Sequence, residues 1–164
     1  MAKLIAILNS FLITNLCFSC IYILHERLFS LTSDLYVIAA LGASAVLVFS
    51  TNDKGGHSVK NTFFGASIGA VIGVFFNMLD LDKALSIILA ISTCIFMMNL
   101  TNLKYPPGGA IALIPVLSDN EIERLGYYYL CCPVLTGITI IFLFSKLQIL
   151  INTKLYKQWQ VPKQ

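Results

Sequence analysis

Ala84-Leu-Ser-Ile-Ile-Leu-Ala-Ile-Ser-Thr-Cys-Ile-Phe-Met-Met-Asn-Leu100 carries no charge, and Tyr105-Pro-Pro-Gly-Gly-Ala110 then opens a second apolar run that ends at Leu117. The first run is long enough to cross a bilayer as one α-helix, which takes about 17–25 apolar residues. The second is too short, and it begins on a helix-breaking pair. Pro106 and Pro107 lack N–H donors and fix φ, so no helix runs through them from the N-terminal side. Proline is well tolerated in a first helical turn, so a new helix starts there. The stretch therefore reads as one full span followed by a short helix that enters the membrane at its proline pair.

The pattern recurs on either side. Leu4–Leu24, Asn61–Leu79 and Gly126–Ser145 are further full-length apolar segments, and Leu35–Ser50 is a second short one. The whole chain of 164 residues is 57% hydrophobic and 12% charged, with mean hydropathy +0.81. A soluble domain carries roughly 25% charged residues. The predicted fold class is an all-α polytopic membrane protein with about six membrane-entering helices, four full spans and two short Gly/Pro-interrupted ones. Leu4–Leu24 exceeds a signal-peptide core and no Ala-x-Ala-like site follows, so it reads as a retained span.

Charge sets the expected topology. With six entries and a cytoplasmic N-terminus, the inside holds Lys3, Lys54, Lys60, Lys104, Lys146, Lys154, Lys157 and Lys163. The outside holds Arg27, Lys83 and Arg124 as its only basic residues. That is the positive-inside bias, with both termini cytoplasmic. The expected location is the inner membrane of a bacterial cell. A basic tail, 146–164, carries Tyr156 and Trp159 and reads as an interfacial anchor on membrane lipid. The net charge of +3 is too small to suggest nucleic acid.

The two short segments resemble each other. Gly42-Ala-Ser-Ala-Val-Leu-Val-Phe-Ser50 aligns with Gly109-Ala-Ile-Ala-Leu-Ile-Pro-Val-Leu-Ser118, and Asn/Asp follows each. The transmembrane domain, 1–145, thus reads as two three-helix repeats, about 4–79 and about 84–145. Units with three crossings must be inverted relative to one another. Inverted repeats are a recurrent transporter plan, and matching Gly/Pro-interrupted segments point to its binding site.

The candidate substrate site follows from that plan. Gly108 and Gly109 permit close approach, and a helix starting at Pro106–Ala110 offers amides and a positive dipole end to an anion. Gly42, Ala43 and Ser44 are the counterpart. Asn99, Thr101, Asn102 and Tyr105 supply polar groups before the second start. Lys60, Asn61 and Thr62 lead into the third helix, with Asn61 or Thr62 as its cap. Gly65, Gly69 and Gly73 form a small-xxx-small face for close packing, within the chain or in a homodimer. His57 in the preceding loop reads as a solvated residue.

Catalysis and cofactors get no support. No metal-binding, nucleophile-elbow or P-loop spacing is present. Cys17, Cys20, Cys94, Cys131 and Cys132 all lie in apolar runs and read as small buried hydrophobes.

Three blocks give the chain a resemblance. Leu41-Gly-Ala-Ser-Ala-Val-Leu-Val-Phe49, Lys60-Asn61 leading to Gly65, and Met97-Met98 through Tyr105-Pro-Pro-Gly-Gly-Ala110 together resemble the HPP family of small integral membrane proteins. The resemblance covers about Leu35 to Ser145. The family is named for a His-Pro-Pro triplet, which here is Tyr105-Pro106-Pro107, and Gly108 stands where the family usually has Ala. The missing imidazole removes a proton- or metal-binding group, while the helix-start geometry remains. The family is usually described with four spans, against the six entries read here. Its members in photosynthetic organisms are linked to nitrite transport, so the resemblance implies a transporter and suggests a small anion.

The expected function is therefore a transporter or channel for a small solute, a small inorganic anion such as nitrite. A non-transporting scaffold or sensor subunit is the competing reading.

Overall fold

A computed structural model describes residues 2–29, 35–50, 59–79, 81–118 and 124–160, with side chains in 7–27, 39–49, 59–79, 81–118 and 124–154. No strand occurs among the described residues. The helices are α1 (Ala2–Phe29), α2 (Leu35–Ser50), α3 (Val59–Asn77), α4 (Lys83–Thr101), α5 (Pro107–Leu117), a π-helical turn (Leu130–Leu135) and α6 (Thr136–Gln160). Four helical stretches are long and apolar enough to span a membrane: Ile7–Arg27, Val59–Asn77, Lys83–Thr101 and Leu130–Lys154. Many of their large apolar side chains point outward, among them Leu12, Leu16, Phe64, Ile88, Phe96 and Leu100. Such a surface is stable against lipid and unstable against water. The protein is an integral, multi-pass membrane protein.

Two compact units form, Met1–Ser30 with Thr139–Gln164, and Leu31–Ile138. In the first, α1 and the body of α6 are joined by side-chain amides. Asn9 Nδ2 donates to Asn152 Oδ1 at 2.9 Å, and Gln148 Nε2 donates to Ser10 Oγ at 2.8 Å. Such bonds are the glue of helix pairs in lipid, where apolar contact alone drives little association. They set the first turns of α1 beside the later turns of α6, so the two helices run antiparallel. The last helix continues well past Ser145, where the sequence placed the end of the span. Residues 146–160 contain no Gly or Pro, so nothing in the basic segment stops the helix.

In the second unit, α5 is the central element. Its residues Pro107, Gly108, Ile111, Ala112, Ile114, Pro115 and Val116 are buried. It packs most extensively on α3, then on α4 and α2. The contact with α3 is made possible by glycine. A methyl group at Gly65 would overlap the Tyr105 side chain, one at Gly69 the Gly108 carbonyl, and one at Gly73 the Ala112 carbonyl. The paired numbers rise together, so α3 and α5 run parallel and α4 returns between them. The contact also settles which surface the small-xxx-small face serves: it is filled within the chain and is closed to a second copy.

Local chemistry sets the ends of α4. Asp82 caps its start, its side chain accepting from the Ala84 and Leu85 amides at 3.1 and 3.4 Å. Asn102 ends it in the left-handed region, φ 54°. The Leu103 amide donates to the Met98 carbonyl at 3.1 Å. The chain is then non-helical until the proline pair, as the sequence required. Cys132, extended at φ −140° and ψ 130°, breaks the helix before Pro133. The sequence alone suggests an unbroken span from Gly126. Beyond the break, Gly137 takes the Leu41 side chain of α2.

Candidate functional site

The start of α5 gathers several of the residues singled out from sequence. Tyr105 is 1% exposed. Its ring lies against Gly65, and its hydroxyl donates to Ser44 Oγ of α2 at 2.5 Å. Ser44 in turn donates to the Ala40 carbonyl at 2.8 Å. Gly108 is enclosed by Gly65, the Met98 methyl and Tyr105, and Cys94 Sγ lies 3.7 Å from its carbonyl oxygen. Thr62, fully buried, sits one turn before Gly65 on the same buried face of α3. Lys60 and Lys104 are exposed at this same end, because Lys104 adjoins Tyr105 and Lys60 precedes Gly65 in the parallel register.

Several expectations are corrected. Gly42, Ala43 and Ser44 lie in the middle of α2, not at a helix start. Their amides belong to a continuous helix, because nothing between Leu35 and Ser50 breaks it. Gly42, Ala43 and Ser44 are therefore no counterpart to the start of α5. Asn61 and Thr62 lie inside the first turn of α3, which begins at Val59, so neither caps it. At α5 itself the first amides are already engaged. Gly108 N–H donates to the Tyr105 carbonyl at 2.9 Å, and Gly109 N–H to the Pro106 carbonyl at 3.2 Å.

Other residues face elsewhere. Thr101 spends its hydroxyl on the Met97 carbonyl at 2.7 Å. Asn99, Asn102, Pro106, Ala110 and Ala43 are exposed. Gly42 and Gly109 each face open space, with no atom within 4 Å of an added methyl. Pro107 is buried in the helix start. His57, Lys54 and the Asn/Asp after each short segment lie outside the described residues.

The sequence reading missed Tyr129. It is fully buried, and its hydroxyl donates to the Ile111 carbonyl of α5 at 3.1 Å. The signal for it was Pro115, which leaves that carbonyl without its helical donor.

The family model for the HPP transmembrane region matches residues 1–157. The chain belongs to the HPP family. The HPP chain is also similar to two transmembrane proteins of Dictyostelium discoideum. One is 32% identical over 119 residues, 70% of this chain and 38% of that protein. The other is 33% identical over 111 residues, 65% of this chain and 39% of that protein. The HPP chain thus spans well under half the length of these relatives. No solved structure matches it. At the family's His position stands Tyr105, whose phenol is held by Ser44. The site here has a hydroxyl pair where an imidazole would offer a ring nitrogen.

Proposed function

We propose that this HPP chain moves a small solute across a membrane, and that the solute is a small inorganic anion such as nitrite. The observation that carries the reading is the start of α5. An 11-residue helix is about 16 Å long, roughly half the hydrocarbon core. It begins on a proline pair among the other helices of its unit, with buried hydroxyls beside it. A helix that starts at membrane depth is the element around which transporters build solute sites. Lys60 and Lys104 at the same end supply a positive approach, and the positive dipole end of α5 favours an anion.

The lysine distribution supports cytoplasmic termini, as in a bacterial inner-membrane protein. The resemblance of the two short segments supports inverted repeats. A homodimer suits so small a membrane chain, and it would use a face other than the filled glycine row. The role is permeation and not catalysis.

Uptake of nitrite and nitrate into liposomes holding the purified protein tests the reading. Transport above empty vesicles is expected. Gly109→Leu, which projects into open space, is expected to fold and serves as a control. Uptake by the wild type no greater than by empty vesicles overturns the proposal.

A further inference from the structure

Thr62 departs from a pattern that five other helical hydroxyls follow, and with Ser118 it is one of two described residues whose buried hydroxyl has no hydrogen-bond partner. Thr14, Ser44, Ser67, Thr101 and Thr153 each donate to the carbonyl four residues earlier, at 2.7–2.8 Å. That bond is the ordinary way to settle a hydroxyl inside an apolar helix. Thr62 Oγ1 is buried, at 0% exposure for the residue, and has no hydrogen-bond partner. A buried polar group left unpaired is costly and calls for an occupant.

Its position says what kind. In the row Thr62, Gly65, Gly69 and Gly73, the last three positions receive Tyr105, Gly108 and Ala112. Thr62 therefore sits at the head of the α3–α5 contact, beside the link from α4 into α5. The amides of Gly108 and Gly109 are turned onto Tyr105 and Pro106, and the Tyr105 phenol is turned onto Ser44. Unlike these groups, the Thr62 hydroxyl has no partner. The charged side chains described near this end, Lys60 and Lys104, are both cationic.

We propose that Thr62 Oγ1 donates to a small anion held at the head of the α3–α5 contact, with Lys60 and Lys104 at its mouth. The inference rests on the anion reading above and adds to it the residue that binds. The hydroxyl supplies a hydrogen bond to a charged acceptor, the stronger class of such bonds.

Thermal unfolding of the full chain in detergent, in gluconate buffer with sodium nitrite as the probe, tests it. The wild type is expected to melt higher as nitrite rises. Thr62→Ser keeps the shift, and Thr62→Val needs at least about tenfold more nitrite for it. Without nitrite, Thr62→Val melts no lower than the wild type, because it removes an unpaired group. Thr62→Cys replaces Thr62→Val if the latter fails to fold.

An unshifted wild type, or a Thr62→Val variant with an undiminished shift, overturns the proposal. A variant that melts lower without nitrite yet keeps its shift marks a structural water and also overturns it. Uptake separates the two readings. If the wild type transports nitrite and Thr62→Val transports it equally well, Thr62 is excluded and the transport reading stands. If the wild type does not transport it, the transport reading fails and the melting series still decides on Thr62.

Discussion

The Tyr129 hydroxyl donates to the Ile111 carbonyl oxygen at 3.1 Å. In an unbroken helix that oxygen would accept from the amide four residues on, but that residue is Pro115, which has none. A side chain from outside α5 thus replaces the backbone donor that α5 lacks, in a place where neither group meets water.

The pair predicts a specific coupling. Tyr129→Phe leaves the Ile111 carbonyl unpaired and is expected to destabilise the protein by about 1–3 kcal/mol. A Pro115→Ala background restores a backbone amide that serves the same carbonyl, so the cost of Tyr129→Phe shrinks. A double-mutant cycle on detergent unfolding measures the difference. Equal costs in both backgrounds would show that the bond carries no weight.

The glycines divide into two classes. Gly69→Ala drives a methyl into the Gly108 carbonyl, and overpacking of this kind costs about 1–3 kcal/mol. Gly42→Ala meets nothing within 4 Å and removes a poor helix former from the interior of α2, a gain of about 0.5–1 kcal/mol. Melting temperatures of the two variants should therefore move in opposite directions.

Tyr105 contributes mainly through its ring. Tyr105→Phe keeps the contact with Gly65 and loses only the bond to Ser44, a loss of about 1 kcal/mol. Tyr105→Ala empties a fully enclosed position and is expected to cost about 3–5 kcal/mol. Unfolding midpoints of the two variants, compared with that of the wild type, check the ranking.

The bonds that join α1 to α6 are testable one at a time. Asn152→Leu removes the acceptor of Asn9, and Ser10→Ala removes that of Gln148. Each is expected to cost about 0.5–2 kcal/mol, measured as resistance of the folded protein to a denaturing detergent. If both variants unfold like the wild type, the amides are not what joins the helices.

Much of the architecture was legible because lipid makes simple demands. Apolar runs located the six described α-helices, and Pro106-Pro107 fixed where α5 begins. The Gly65, Gly69 and Gly73 spacing announced a close contact, although only the structure shows that α5 fills it. The site was less legible. Gly42-Ala-Ser resembles Gly109-Ala-Ile as text, yet a helix start depends on what precedes it. No proline stands before Gly42, so α2 runs through. The role of Tyr129 is a long-range answer to a local defect at Pro115, and the sequence states the defect without naming its remedy. The break at Cys132 is likewise a matter of backbone angles, which residue types suggest only through Pro133.

The contact between α3 and α5 has a mechanical corollary. Where the Gly108 and Ala112 carbonyls rest on Gly69 and Gly73, no knob sits in a hole, and that stretch of the two surfaces meets like smooth rails. Such a stretch permits close approach but by itself gives little grip along the helix axis. The height of α5 is then fixed by its two tyrosine pins, Tyr105 seated at Gly65 and Tyr129 hooked to Ile111. Loss of one pin would leave the other to hold the short helix at its height.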